Sequence, residues 1–270
     1  MKEITDNREL QLIEVETLER VATFCEERGI RYSLGYGTLL GAIREKGFIP
    51  WDDDIDVLMP RPDYERFCKE FSAEDLSLHY IKNDKNYWIW FAKVFDDRTL
   101  ALEGRTETHE TSLFVDIFPL DGFPDAKTVQ RIALKFNRLI KYHYFRSRSL
   151  TWIMTHTRKR AFYKMAMVQV AKLVLKLVFY VFPKRYFAKA ITKTFSHYNY
   201  DVANVFWLLG MRNAMPRSCV DSFVDVEFEG RKYKAIAGWD TYLSIRYGDY
   251  MTPPPEEERV VHHLVKAWWK

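Results

Sequence analysis

The sequence predicts an α+β protein: a mixed sheet with flanking helices, then a basic helical region and a short return to strands. Three observations predict this. Across residues 1–125, short apolar and aromatic runs alternate with stretches of helical periodicity, the pattern of strands and helices built around one sheet. From Ala126 to Lys193 the chain holds 17 Lys or Arg and no Asp or Glu, and it reads as long helices. After residue 201, β-prone runs separated by turn residues return. The chain accordingly divides into 1–125, a mixed-sheet core; 126–200, a basic amphipathic helical region; and 201–270, a hairpin, helix and tail that complete the core. No internal repeat or low-complexity tether separates these stretches.

The elements follow in order. Asp6 caps a first helix whose apolar positions Leu10, Ile13, Leu18, Val21 and Phe24 share one face, with Gly29 after its end. Ile30 to Gly35 reads as a strand, Gly35 to Thr38 as a tight turn, and Leu39 to Glu45 as a short helix closed near Gly47. Ile55 to Met59 is a second strand stopped by Pro60 and Pro62, with a helix from Asp63 to Phe71. Ser77 to Ile81, Tyr87 to Phe95 and Leu113 to Phe118 complete the strands of the first half. Helices are predicted at Lys127 to Tyr144, Arg158 to Phe182 and Tyr186 to Tyr198. A hairpin then joins Phe223 to Phe228 with Arg231 to Ala235, and a helix covers Trp239 to Tyr247. Met251 to Lys270 reads as a Pro-rich, then aromatic, tail.

Composition narrows the function classes. With 270 residues, of which 47% are hydrophobic and 16% aromatic, the chain can bury a sizeable core. Cys25, Cys68 and Cys219 suit neither a disulfide framework nor a zinc site, and the mixed-charge N-terminus resembles no secretory leader, so a cytoplasmic protein with reduced thiols is expected. The basic stretch predicts an anionic partner, since the rest of the chain carries 24 basic against 37 acidic residues. Nucleic acid is not expected there: the stretch has large aliphatic faces and no helix-turn-helix or single-strand-binding signature. Between Phe162 and Phe182 the apolar character breaks at Lys164, Gln169, Lys172 and Lys176, on an arc of about 140°. Its longest uninterrupted apolar run, Leu177 to Phe182, cannot span a bilayer. The helix can pack on the sheet or lie on an anionic membrane surface. His262 and His263 beside Glu256 to Glu258 match no metal-ligand spacing.

The chemistry concentrates in FIPWDDDIDVLMP, residues 48–60. Alternate residues of an extended segment share a face, so Asp54 and Asp56 project together, with Asp52 on the same side if the strand starts early. Two carboxylates held so close either share a proton or hold a cation, and hard oxygen ligands favour Mg²⁺ or Mn²⁺. Gly37 and Thr38 begin a short helix whose N-terminus suits phosphate. Asp116 stands inside the apolar run SLFVDIFPL, either as a third carboxylate of this site or as a buried aspartate held by backbone or arginine.

GYGTLLGAIR (35–44), GFIPWDDDID (47–56), FVDIFPLD (114–121) and YGDYMTPP (247–254) together resemble the LicD family of phosphocholine transferases. That family is a branch of the polymerase-beta-like nucleotidyltransferase superfamily that also includes fukutin-related proteins. The resemblance implies that fold and a transfer of phosphocholine from CDP-choline to a sugar hydroxyl of a cell-surface glycan precursor of the teichoic acid, lipopolysaccharide or capsule type, releasing CMP. It implies Asp54, Asp56 and Asp116 as catalytic and metal-binding residues, with Mg²⁺ or Mn²⁺, and Gly37 and Thr38 as phosphate contacts; Arg44 and Lys93 are further candidates for phosphate, Arg44 with pairing to Asp53 or Glu45 as its alternative. Choline selection calls for aromatic faces, for which Tyr87, Trp88, Trp90 and Phe91 are available and Trp88 and Trp90 are named. An acceptor that is lipid-linked places the enzyme peripherally on the inner face of the plasma membrane, through Lys127–Lys193. Transfer of ribitol or glycerol phosphate, nucleotidyl transfer, and a non-catalytic binding protein of this fold are the alternatives.

Overall fold

The computed structural model describes residues 1–103, 109–147, 162–259 and 264–270. In chain order its strands and main helices are β1 (Lys2–Ile4), α1 (Asn7–Glu27), β2 (Ser33–Leu34), α2 (Tyr36–Arg44), β3 (Ile55–Pro60), α3 (Arg61–Glu70), β4 (Leu76–His79), β5 (Ala92–Asp96), β6 (Thr99–Glu103), β7 (His109–Thr111) and β8 (Phe114–Phe123). The basic region supplies α4 (Ala126–Ser147), α5 (Phe162–Tyr180) and α6 (Lys184–Phe195). β9 (Val205–Trp207), β10 (Met215–Pro216), β11 (Phe223–Phe228), β12 (Arg231–Ile236), α7 (Trp239–Tyr247) and β13 (Leu264–Trp269) follow. This is the α+β mixed architecture that the sequence predicts.

The main sheet has seven strands with β8 as its spine. β8 pairs parallel with β3 along one edge, and antiparallel with β5 and then β9 along the other. That double duty explains why β8 runs five residues past the predicted Phe118: Asp121, Gly122 and Phe123 have ladder partners on β9. Every residue of β3 is buried, so it reads as a continuous apolar run interrupted by Asp56. Registers of β3 on β8 and of β5 on β8 set Asp56 beside Asp116 and Asp116 beside Lys93, so an acid, an acid and a base form one row across three strands.

α1 and α3 pack on this sheet, and the core includes Leu18, Val21, Leu58, Phe67, Val115 and Ile117. Asp6 caps α1 by accepting the Arg8 N–H at 2.9 Å, and the chain leaves it through Gly29 at φ +61°. Asp121 takes a buried bidentate grip from Arg61, at 2.7 and 2.6 Å, which ties α3 to β8.

Several boundaries differ from the sequence reading. The strand expected at Ile30 to Gly35 is reduced to Ser33–Leu34, and the turn expected at Gly35 to Thr38 is the cap and first turn of α2. Of the strand expected at Tyr87 to Phe95, residues 87–91 are irregular: pairing of β4 with β5 stops at His79 opposite Lys93, and nothing lies across from them in the ladder. The tail ends in a strand, β13, which pairs with β1 and β6 in a four-stranded sheet that also holds β7. β1 and β7 have three residues each, too few to show a strand period in sequence. The three cysteines are buried and free.

Candidate active site

α2 and the loop before β3 build the site together. Gly35 begins α2 in extended conformation, and Tyr36 then takes φ +43°, a left-handed value uncommon for a bulky residue. It is held there by tertiary contacts. The Tyr36 N–H donates to the Tyr242 hydroxyl at 3.1 Å, and the Arg246 guanidinium lies 4.4 Å from the Tyr36 ring centre. Such strain is characteristic of a site that the surrounding structure over-determines. Gly37 follows, and a Cβ there would stand 2.4 Å from Asp52 Oδ2, so a larger residue would displace that carboxylate.

A cleft of about 880 Å³ opens beside them. Asp52, Asp54, Asp56 and Asp116 line it, with Gly37, Leu40 and Arg44 from one face of α2. Gly37, Leu40 and Arg44 are spaced i, i+3, i+7, so Arg44 shares a helix face with the glycine, whereas counting from Thr38 directs it elsewhere. Trp90, Phe91 and Phe118 form an aromatic wall, with the Phe91 and Phe118 ring centres 4.2 Å apart. Arg246 and, from the 247–254 stretch, Tyr247, Asp249, Tyr250 and Thr252 reach the same cleft. Arg44 fastens that stretch there by donating to the Tyr250 carbonyl at 3.1 Å, and its Nε pairs with Glu45 at 2.7 Å, so the expected alternative partner is met at the rim of the cleft.

The electrostatics are those of a site with more negative charge than its own cations balance. Burial first, then the Asp54 carboxylate, raises the Asp52 pKa. Asp56 is pushed well above the usual range by burial, then by Asp54 and Asp116. Among the described residues, Asp52, Asp53 and Asp54 can bring one oxygen each to within 4.8 Å of one another. All are hard oxygen donors, so the donor set fits Mg²⁺ or Mn²⁺. The expected trio Asp54, Asp56 and Asp116 lines the cleft, but the tightest cluster is shifted toward Asp52 because the loop turns the three consecutive carboxylates together.

Other predicted residues sit differently from expectation. Thr38 is buried and its Oγ1 accepts the Asp56 N–H at 2.8 Å, so it fixes the start of β3. Lys93 does not line the cleft: its Nζ lies 2.8 Å from Asp116 Oδ1 and 3.2 Å from the Phe114 ring centre, neutralising Asp116 from outside. Asp116 is thus paired, with a lysine where backbone or arginine was the alternative, and it lines the cleft as well. Trp90 lines the cleft, whereas Trp88 lines a separate cavity and has Lys184 5.2 Å from its ring. Tyr87 also belongs to that second cavity and Phe91 to the first. His262 and His263 lie outside the described residues.

Two residues at the site escape sequence reasoning. Arg246 adjoins the 247–254 stretch, which was its available signal. Glu14 on α1 is 1% exposed, and burial followed by Asp54, Asp53, Asp52 and Asp116 raises its pKa well above 4.5. The signal for it was spacing: Glu14 is four residues from both Leu10 and Leu18 on the apolar face.

Residues 29–147 match the LicD/FKTN/FKRP nucleotidyltransferase domain family. The chain is 34% identical over 279 aligned positions to the lipopolysaccharide cholinephosphotransferase LicD of Haemophilus influenzae, covering 99% of both chains. It is also 30% identical over 120 positions to an uncharacterised protein of Rickettsia typhi, covering 44% of this chain and 38% of that one.

Proposed function

The chain belongs to the LicD/FKTN/FKRP nucleotidyltransferase family and is a phosphotransferase, and from that premise we propose that it moves phosphocholine from CDP-choline to a sugar hydroxyl of a lipopolysaccharide precursor or related cell-surface glycan. The observation that carries this reading is the meeting, in one cleft, of the carboxylates of Asp52, Asp54, Asp56 and Asp116 with the aromatic wall of Trp90, Phe91 and Phe118. Acids of this kind suit a diphosphate with its counter-cation, and aromatic faces suit a quaternary ammonium.

Asp52 and Asp54 of the tight cluster, with Asp56 and Asp116 lining the same cleft, are the residues that would hold a divalent cation. When bound, such an ion neutralises the diphosphate and makes the transferred phosphorus more electrophilic. Arg44 and Arg246 supply cations for the donor's phosphate oxygens. Trp90 offers its face to the trimethylammonium group. Lys93, 2.8 Å from Oδ1, orients Asp116, and the Asp116 carboxylate takes the proton of the acceptor hydroxyl as that oxygen bonds to phosphorus. The bond from phosphorus to the bridging oxygen breaks and CMP leaves with that oxygen.

The test is calorimetric binding and CMP release with CDP-choline, CDP-ethanolamine, CDP-ribitol and CDP-glycerol, each with and without Mg²⁺. Metal-dependent preference for CDP-choline, lost in Asp54→Ala, is the expected result. Undiminished activity in Asp54→Ala overturns the metal role, preference for another donor overturns the choline assignment, and release of phosphocholine in place of CMP, the mark of attack at the cytidylyl phosphorus, overturns phosphocholine transfer.

A further inference from the structure

The helix α5 presents its apolar side outward. Val170, Leu173, Val174, Leu177 and Val178 are 61, 39, 52, 65 and 51% exposed, and Val181 just past the helix end is 80% exposed. Lys172 and Lys176, by contrast, are half-buried. At 100° per residue those five apolar positions of α5 and Leu175, 40% exposed, fall within an arc of about 200°, and the two lysines fall outside it. The sequence left open whether this face packs on the sheet; in the structure α5 packs against α4 and its apolar arc faces away from the core. Soluble proteins rarely leave contiguous apolar faces uncovered unless something docks there.

We infer that this face lies on an anionic phospholipid bilayer. Charge decides between a membrane and a second copy of the chain. The surrounding segment, Ala126 to Lys193, carries 17 Lys or Arg and no acidic residue, so self-association through α5 would bring two uncompensated basic segments together. An anionic lipid surface compensates them, and each Lys or Arg near it contributes favourably. Among the described residues no helix is long and apolar enough to cross a membrane, so α5 lies in the interface with its apolar arc inserted.

Docking by this helix also orients the cleft. α5 is carried on α4, whose Phe136 meets Trp90 edge-on at 5.9 Å, and Phe195 of α6 packs on Phe136 at 5.4 Å. The element that would touch lipid is thus one layer from the aromatic wall of the active site. This inference concerns a surface outside the cleft and stands whichever donor the cleft takes.

The experiment is flotation of the full chain with vesicles of phosphatidylcholine alone and of phosphatidylcholine mixed with phosphatidylglycerol, at low and high salt. Salt-sensitive binding to the anionic vesicles is expected, at least about tenfold weaker on phosphatidylcholine alone. Val174→Glu/Leu177→Glu is expected to weaken binding by about tenfold or more, because it removes inserted apolar surface and adds like charge to the lipid's. Val181→Glu, at the most exposed of these positions, does the same with the least risk to folding, and circular dichroism and donor binding by calorimetry verify that both variants are intact. Absence of binding to anionic vesicles, or variants that bind like the wild type, overturns the inference. So does a wild-type dimer that these variants dissociate, which would give the face to a second copy. Loss of donor binding in the unmodified chain bears on the cleft alone.

Discussion

Lys93→Met tests the row of charges across the sheet. Lys93 and Asp116 have side chains only 5 and 9% exposed and stand 2.8 Å apart, so the pair interacts at about 6 kcal/mol if the effective dielectric constant is about 20. Methionine approximates the lysine stem in volume and keeps the packing on Phe114, leaving charge as the main change. The full Coulomb figure is not what unfolding should report, because an unpaired Asp116 can take a proton. Protonating an ordinary aspartate at pH 7 costs about 4 kcal/mol, at about 1.4 kcal/mol per pH unit, and this caps the loss. The variant is therefore expected to be less stable by about 3 to 4 kcal/mol at pH 7, within the range for breaking a buried pair. At pH 5 the same cap falls to about 1.5 kcal/mol, so the deficit shrinks by more than half. Urea unfolding of both proteins at the two pH values, without divalent cations, measures it. A deficit below about 1 kcal/mol at pH 7, or one that does not change with pH, refutes the assignment of Lys93 as the partner that keeps Asp116 charged. CMP release should fall in the same variant, since a protonated Asp116 cannot accept the acceptor's proton.

Gly37→Ala sets a methyl group against Asp52 Oδ2, a movable side-chain end, so the fold should survive while the acidic cluster is displaced. Turnover is expected to drop about tenfold or more, equivalent to about 1.4 kcal/mol, with little change in the melting temperature; unchanged turnover would separate Gly37 from the chemistry. Glu14→Gln removes a carboxyl that burial and the aspartates of the site hold well above its ordinary 4.5. A carboxyl raised in the folded state contributes stability that is full below its unfolded value and lost as pH rises, so the metal-free variant should gain on the wild type between about pH 5 and pH 8. Melting temperatures at both ends of that window check it, and a constant difference would show that Glu14 does not titrate as its surroundings dictate.

The site was legible where chemistry is written as residue type and close spacing. DDDID within an apolar context announced crowded carboxylates, and its position after GYGTLL placed them near a helix start. Roles that depend on which way a side chain points were not legible. Lys93 and Thr38 are polar residues of the right type at the right distance in sequence, yet one supports Asp116 from outside the cleft and the other fixes the backbone of Asp56. Trp88 and Trp90 are two residues apart and an ideal strand would send them to one face; in the irregular 87–91 segment they line different cavities.

Local periodicity and capping by themselves determined α1, β3, the β11–β12 hairpin and α7, because each is fixed by residues adjacent in the chain. Strand registers, by contrast, are agreements between distant segments. Only the tertiary structure decided that Asp56, Asp116 and Lys93 fall in one row, that β13 returns to pair with β1, and that Arg246 and Tyr250 close the cleft over two hundred residues after Gly37. It also decided which side of α5 faces outward, since an amphipathic pattern states that a helix has two sides and packing alone states which one meets the core.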